Sequence, residues 1–156
     1  KMINASKVML ALCAISTCSA AWADTRWTDL GQSDNGIRFA VSQDTPISAS
    51  GSFTGRQRLT MPYPVVCVDM ESLRATNPAL YEQCDQAMTS GVSVWIQHTQ
   101  VDCQRRVVRG LYEEYINYKG ESLGDVQLNE QWAEPKAGGF SVYLLNQYCG
   151  NQPIAR

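Results

Sequence analysis

Residues 92–120, VSVWIQHTQVDCQRRVVRGLYEEYINYKG, decide the fold class of this chain. The segment 92–98 is rich in β-favouring residues, and a second such run extends over 101–118. Lys119-Gly120 predicts a turn, after which residues 122–128 form another strand candidate. In the run after residue 101 neither alternating set is cleanly apolar, so the pattern does not decide which face is buried.

The sequence before this stretch adds three strand candidates, at residues 26–31, 37–41 and 53–61. The first two are separated by a turn at Asn35-Gly36, because this dipeptide tolerates positive φ. Gly55 lowers the β propensity of the third candidate. Together with the later runs, these candidates predict an antiparallel sheet of about six strands.

Two segments have helical character. Residues 140–149 place apolar side chains at helical spacing, and Gly150 is a natural residue to end that helix. Residues 62–91 break the strand pattern, and within them Asn77 and Pro78 are typical of a helix start. The prediction is an α+β domain in which a C-terminal helix packs on the sheet and residues 62–91 form a helical insert.

The N-terminus predicts export. A basic start, a short apolar run over residues 8–15 and the small-residue pattern Ala21-Trp22-Ala23 are typical of a signal peptide spanning residues 1–23. The mature chain would be a single domain over residues 24–156 without a transmembrane segment. Ile15-Ser16-Thr17-Cys18 offers an alternative, a lipobox that would anchor the protein through lipid on Cys18. Cleavage after Ala23 is preferred because Thr17 fits a lipobox poorly.

Four cysteines remain after removal of the signal peptide. An even number in an exported chain predicts two disulfides, although the sequence alone permits three pairings. We prefer Cys67–Cys84, which would staple the insert, and Cys103–Cys149, which would tie a central strand to the terminal helix. The spacings match no zinc motif.

Composition and charge exclude several functions. The chain is 44% apolar and 18% charged, with a formal net charge of −2, which argues against nucleic-acid binding. Because the chain has a single histidine, a multi-histidine metal centre is impossible. His98 has no motif that joins it to a nucleophile, and neighbours Glu113 and Glu114 should face opposite ways on a strand. We therefore expect no enzyme activity, no cofactor and no metal.

An ordered set of motifs carries a resemblance to a known family. The set comprises Trp27-x-x-Leu30-Gly31, Phe39-x-x-x-x-Asp44-x-x-Ile47, Val101-Asp102-Cys103-x-Arg105-Arg106, Tyr118-x-Gly120, Trp132 and a terminal helix ending at Cys149. It resembles the surface-adhesin protein E family of Gram-negative bacteria. The resemblance implies an antiparallel sheet with a disulfide-tethered C-terminal helix, and an adhesin-like role in binding host proteins, with haem association in the best-known member. It implies no binding residue, because the matched motifs are structural.

One surface is the candidate for ligand binding. Its residues are the basic cluster and two neighbouring tyrosines: Arg105, Arg106, Arg109, Tyr112 and Tyr115. With Arg56 and Arg58, the cluster would grip an acidic partner such as a glycan or a lipid phosphate. Trp95, Tyr118 and Trp132 are further candidates for a contact surface.

The predicted function is that of an exported, non-enzymatic binding protein of the bacterial envelope or surface, periplasmic or secreted, with a protein or glycan ligand. The alternative is a periplasmic inhibitor of a lytic enzyme such as lysozyme. That function needs a protruding loop aimed at a catalytic cleft, and the insert at residues 62–91 is the candidate.

Overall fold

A computed structural model describes residues 26–150 of the chain. The predicted signal peptide, its cleavage site and the lipobox cysteine lie outside these residues. The elements are β1 (Thr28–Gln32), β2 (Arg38–Gln43), β3 (Ser52–Thr60), a 3-10 turn (Val65–Cys67), α1 (Met70–Thr76), α2 (Pro78–Ser90), β4 (Val92–Asp102), β5 (Val107–Asn117), β6 (Ser122–Gln127) and α3 (Phe140–Cys149).

The six strands form one sheet in the order β1-β2-β3-β4-β5-β6, and every neighbouring pair is antiparallel. Each strand therefore pairs with the strand that follows it in the chain. The predicted α+β class, the antiparallel sheet of six strands, the C-terminal helix and the disulfide-stapled helical insert are all confirmed.

The core lies between the sheet and helix α3, which packs on β2 and β3. It consists of buried apolar side chains from both layers: Val41, Phe53, Val101, Val108, Leu144 and Leu145. Gly55 has a specific role in this contact. A Cβ atom at this position would lie 2.8 Å from the Ser42 carbonyl oxygen and 3.2 Å from Leu144 Cδ1. Gly55, which lowers the β propensity of this strand, thus allows α3 to pack closely on β3.

The turn between β4 and β5 differs from the prediction. The sequence pattern placed Cys103 and Arg105 on a strand, but β4 continues through His98 to Asp102 and the chain then turns over residues 103–106. Asp102 fixes this turn by accepting hydrogen bonds from the backbone N–H and the guanidinium of Arg105, at 2.9 and 2.7 Å. The run after residue 101 has no clean apolar alternation, so its pattern did not mark where β4 ends.

The insert contains one helix that the sequence analysis did not predict. Helix α1 begins after Asp69, whose carboxylate accepts from the Ser72 N–H at 3.0 Å, and it has no buried residue. Apolar periodicity therefore could not reveal it. Helix α2 begins as predicted, with Asn77 as N-cap and Pro78 in the first turn.

Both preferred disulfides are present. Cys67 is joined to Cys84 within the insert, and Cys103 in the β4–β5 turn is joined to Cys149 at the end of α3. Within residues 26–150, no helix is both long enough and apolar enough to cross a bilayer.

Candidate functional site

The two faces of the sheet differ in what they carry. Gln57 donates a hydrogen bond to Ser141 of α3, so it faces the helix, and it is 1% exposed. Because side chains alternate across a strand, Arg56 and Arg58 on either side of Gln57 face the other way. We call that opposite side the open face.

Trp27 anchors the first cluster on the open face. The Cζ atoms of Arg56 and Arg58 lie 5.0 and 4.4 Å from the centroid of its ring. Arg56 also forms an ion pair of 2.8 Å with Asp44. Arg58 differs: among residues 26–150 no carboxylate lies within 4 Å of it. Burial lowers the pKa of Arg58 from its ordinary value, although the side chain stays cationic at any physiological pH.

A groove of about 540 Å³ runs beside this cluster. Its lining combines aromatic and charged side chains with apolar ones: Trp27, Asp29, Arg38, Arg56 and Arg58 are the aromatic and charged wall, Ala40, Val94, Ile96 and Ile116 are the apolar floor, and Phe39 and Thr60 complete the lining. The Arg38 guanidinium is paired with Asp29 at 3.0 Å. The groove therefore has an apolar surface beside three arginines. Arg38 and Arg56 have carboxylate partners, and Arg58 has none among the described residues.

Trp132 anchors a second cluster of the same composition. The Cζ atoms of Arg105 and Arg109 lie 5.2 and 5.0 Å from the centroid of its ring. Arg105 pairs with Asp102, whereas Arg109 donates to the amide oxygen of Gln100, at 2.9 Å. Each tryptophan thus carries one arginine that has a carboxylate partner and one that has none among the described residues.

The strand register gives the separation of the two clusters. Arg56 on β3 is paired with His98 on β4, and Arg109 on β5 is paired with Gln100 on β4. Two strand spacings and two residues along the strand therefore separate the arginines, or about 12 Å between their Cα atoms. Both clusters lie on the open face, since Gln100 is two residues from His98 on the same strand.

His98 lies between the clusters. Its side chain is only 15% exposed and lies in the middle of β4, whereas the predicted strand over residues 92–98 ended at this histidine. Its Nε2 atom is 2.7 Å from a Glu114 carboxylate oxygen, and its ring stacks on Tyr112 with centroids 3.9 Å apart. Burial, and then the negative charge of Glu114, raise the pKa of the Tyr112 hydroxyl. Both ring contacts hold His98 in place.

The structure brings together three of the five residues of the candidate surface. Arg105, Arg109 and Tyr112 lie on the open face. Arg106 instead donates to the Gly150 carbonyl and the Asn146 side chain, at 3.0 and 3.1 Å, and so holds the end of α3. Tyr115 pairs with Trp95 on the helix side of the sheet, where its hydroxyl donates to Glu113.

Arg56 and Arg58 do lie on the open face, but in the first cluster. The residue that the sequence analysis missed is Trp27, which was assigned only to a structural motif. Trp27 is far from these arginines in the sequence. The pairing of β1 with β2 and of β2 with β3 brings it close to them in space. The alternation Arg56-x-Arg58 on one strand was the pattern that placed two cations on one face.

Within residues 26–150, no group of three or more His, Cys, Asp or Glu side chains is placed to hold a metal ion.

Comparison with protein-family models, with curated proteins and with solved structures finds no match for this chain.

Proposed function

We propose that this chain is a non-enzymatic binding protein that holds an acidic glycan on the open face of its sheet. The observation that carries the proposal is the pair of tryptophan clusters, Trp27 with Arg56 and Arg58, and Trp132 with Arg105 and Arg109. Each offers an aromatic ring with a cation held against it, and the Cα atoms of Arg56 in one cluster and Arg109 in the other are about 12 Å apart.

The unpaired arginines favour an anionic ligand. A guanidinium binds carboxylate, sulfate or phosphate oxygens through two parallel hydrogen bonds, and stacking on a ring fixes its orientation in advance. Arg58 and Arg109 have no competing carboxylate within 4 Å among the described residues. Less ordering of these side chains is then needed when the ligand binds.

The arrangement favours a glycan over an isolated phosphate group. A polymer with a negative charge on successive sugar units could contact both cationic clusters on the open face. A single phosphate group could contact only one of the two clusters. Aromatic rings and the apolar floor of the groove would contact the nonpolar faces of sugar rings. The resemblance to the surface-adhesin protein E family and the predicted export support a binding role at the envelope or outside the cell.

One observation favours the alternative function, inhibition of a lytic enzyme. The insert presents three exposed valines, Val65, Val66 and Val68, beside the Cys67–Cys84 disulfide, and a stapled, protruding loop is what such an inhibitor needs. The test is the rate at which lysozyme clears a bacterial cell-wall suspension, with and without an excess of the protein. Loss of most of the lysozyme activity, reversed by Val66→Asp, would favour the inhibitor.

The glycan proposal is tested with a heparin-derived tetrasaccharide and, for comparison, a neutral dextran oligosaccharide. Binding by the mature protein is measured by calorimetry at low and high salt. We expect binding of the sulfated ligand only, weakening as salt is added. Arg58→Glu should weaken it about tenfold or more.

The matched control is Arg74→Glu on helix α1, which changes net charge equally, but Arg74 lies over Tyr81 and does not line the groove. This variant should bind the tetrasaccharide within about twofold of the wild type, since a remote charge is largely screened. Equal losses in the two variants would show that only net charge matters, and no binding of the sulfated ligand would refute the proposal.

A further inference from the structure

We propose that the insert of one copy of this chain docks into the open-face groove of a second copy. The docking segment is the insert tip, defined as residues 63–68. The groove is the one beside Trp27. The proposal depends on the shape and charge of these two surfaces and does not depend on glycan binding.

The insert tip exposes unusually apolar side chains. Val65, Val66 and Val68 are 85%, 69% and 68% exposed, and Tyr63 is 45% exposed. Single exposed apolar residues are ordinary, but a contiguous group at a protruding loop is typical of an interaction site.

The tip is also fixed in shape. Cys67 is buried and bonded to Cys84, and its backbone N–H donates to the Pro64 carbonyl at 2.9 Å. Tyr63 packs edge-on against Tyr118, whose hydroxyl donates to the Pro62 carbonyl at 3.1 Å. A partner therefore meets a surface that is already ordered, which lowers the entropy cost of binding.

Charge selects the partner. Asp69 and Glu71 directly follow the tip, and the whole insert holds four carboxylates and one arginine. An anionic lipid surface would be repelled by this rim. A complementary receptor needs an apolar depression with an excess of cations at its border. The floor of the groove is apolar, its one lining carboxylate, Asp29, is paired with Arg38, and Arg58 has no carboxylate within 4 Å among the described residues.

Size is consistent with this pairing. The groove has a volume of about 540 Å³. This volume lies within the range of about 300–1,000 Å³ that is usual for ligand pockets, so the groove has room for several apolar side chains of the tip. In the docked pair, valines of the tip would cover Ile96 and Ile116, and the acidic rim would approach Arg58. The tip and a glycan would then compete for the same arginine, so ligand binding would favour the monomer.

The test is sedimentation velocity of the mature protein over a concentration series. We expect the wild type to associate reversibly as concentration rises. Val66→Asp, which alters the tip, and Arg58→Glu, which alters the groove, should each weaken association about tenfold or more. The matched control Val126→Asp places the same change on β6, where Val126 is also exposed, and it should associate like the wild type.

Mixing the two variants gives the decisive result. Val66→Asp keeps an intact groove and Arg58→Glu keeps an intact tip, so the mixture should form one-to-one pairs that neither variant forms alone. A wild type that stays monomeric to millimolar concentration, or a mixture that stays monomeric, would overturn the proposal. Val66-dependent binding of a monomeric wild type to zwitterionic phosphatidylcholine vesicles, or to lysozyme, would assign the tip to that partner and refute self-association.

Because Val66→Asp leaves Arg58 in place, it should bind the heparin tetrasaccharide at least as tightly as the wild type. Sedimentation velocity therefore tests self-association, and tetrasaccharide binding by Val66→Asp tests the glycan site. Either proposal can fail while the other holds.

Discussion

The guanidinium of Arg58 lies 4.4 Å from the centroid of the Trp27 ring, and no carboxylate within residues 26–150 lies within 4 Å of it. An arginine on a sheet surface is usually paired or free to move in solvent. Here one aromatic ring orients the cation without neutralising it, which is the arrangement expected of a receptor for an external anion.

Trp27→Ala should weaken binding of the heparin tetrasaccharide about tenfold, because Arg56 and Arg58 lose the ring that orients them. Trp27→Phe keeps an aromatic face and should recover much of this loss. Calorimetric titration of both variants checks the prediction. Equal losses in the two would contradict a stacking role and indicate that the indole N–H itself is required.

The two disulfides should differ in their effect on stability. Replacing Cys103 and Cys149 by serine frees α3 from the β4–β5 turn, and α3 supplies Leu144 and Leu145 to the core. The expected loss is about 2–5 kcal/mol of unfolding free energy, measured by urea denaturation.

Replacing Cys67 and Cys84 by serine should instead loosen residues 62–91 and leave the sheet intact, because this disulfide lies within the insert. Hydrogen exchange should increase in α1 and α2 while protection of β3 and β4 is retained. Global unfolding of this variant under conditions where the wild type is folded would show that the insert is not separable from the sheet.

Gly55→Ala should destabilise the protein by about 1–3 kcal/mol, because the added Cβ would meet the Ser42 carbonyl oxygen and Leu144 on a closely packed interface. The control is Ser52→Ala at the start of the same strand, with an expected change within about 0.5 kcal/mol. Urea denaturation of both variants measures the difference. A neutral Gly55→Ala would mean that α3 can move away from β3 without loss of packing.

The β4–β5 turn should lose stability in acid. Burial opposes ionisation of Asp102, but hydrogen bonds from the Arg105 N–H and guanidinium outweigh it and hold the Asp102 pKa below the ordinary 3.8. A lowered folded-state pKa contributes stability that is complete above the unfolded value and is lost as pH falls through the folded value.

The advantage of the wild type over Asp102→Asn should therefore be largest near neutral pH and shrink below about pH 4. Denaturation at a series of pH values measures it. A difference that stays constant down to pH 2 would show that Asp102 acts through its hydrogen-bonding shape and not through its charge.

Much of the fold could be predicted because it is local in origin. Antiparallel strands joined by short turns follow from period-two patterns and from dipeptides such as Asn35-Gly36. An even cysteine count predicts two disulfides, and the position of each cysteine within the predicted elements favoured the observed pairing over the other two. The extent of β4 and the presence of α1 could not be predicted. The run after residue 101 has no clean apolar alternation that would mark the turn at residues 103–106, and α1 has no buried residue and therefore no apolar periodicity.

The candidate site could be predicted only in part. Arg56 and Arg58 share a face through alternation along one strand, which the sequence reveals. Their contact with Trp27 and the convergence of Arg105 and Arg109 on Trp132 depend on strand register and on a loop that returns to the sheet at Ala133. Register is set by packing between distant segments, so no local pattern carries it.

The most direct test of glycan binding on the open face uses the indole N–H signals of Trp27, Trp95 and Trp132 in a proton–nitrogen correlation spectrum. A chain that spans residues 24–156 is titrated with the heparin tetrasaccharide. We predict that the signals of Trp27 and Trp132 shift together with saturating ligand, while Trp95, on the helix side of the sheet, stays unchanged. Shifts confined to Trp95, or no shift in any of the three, would contradict the account.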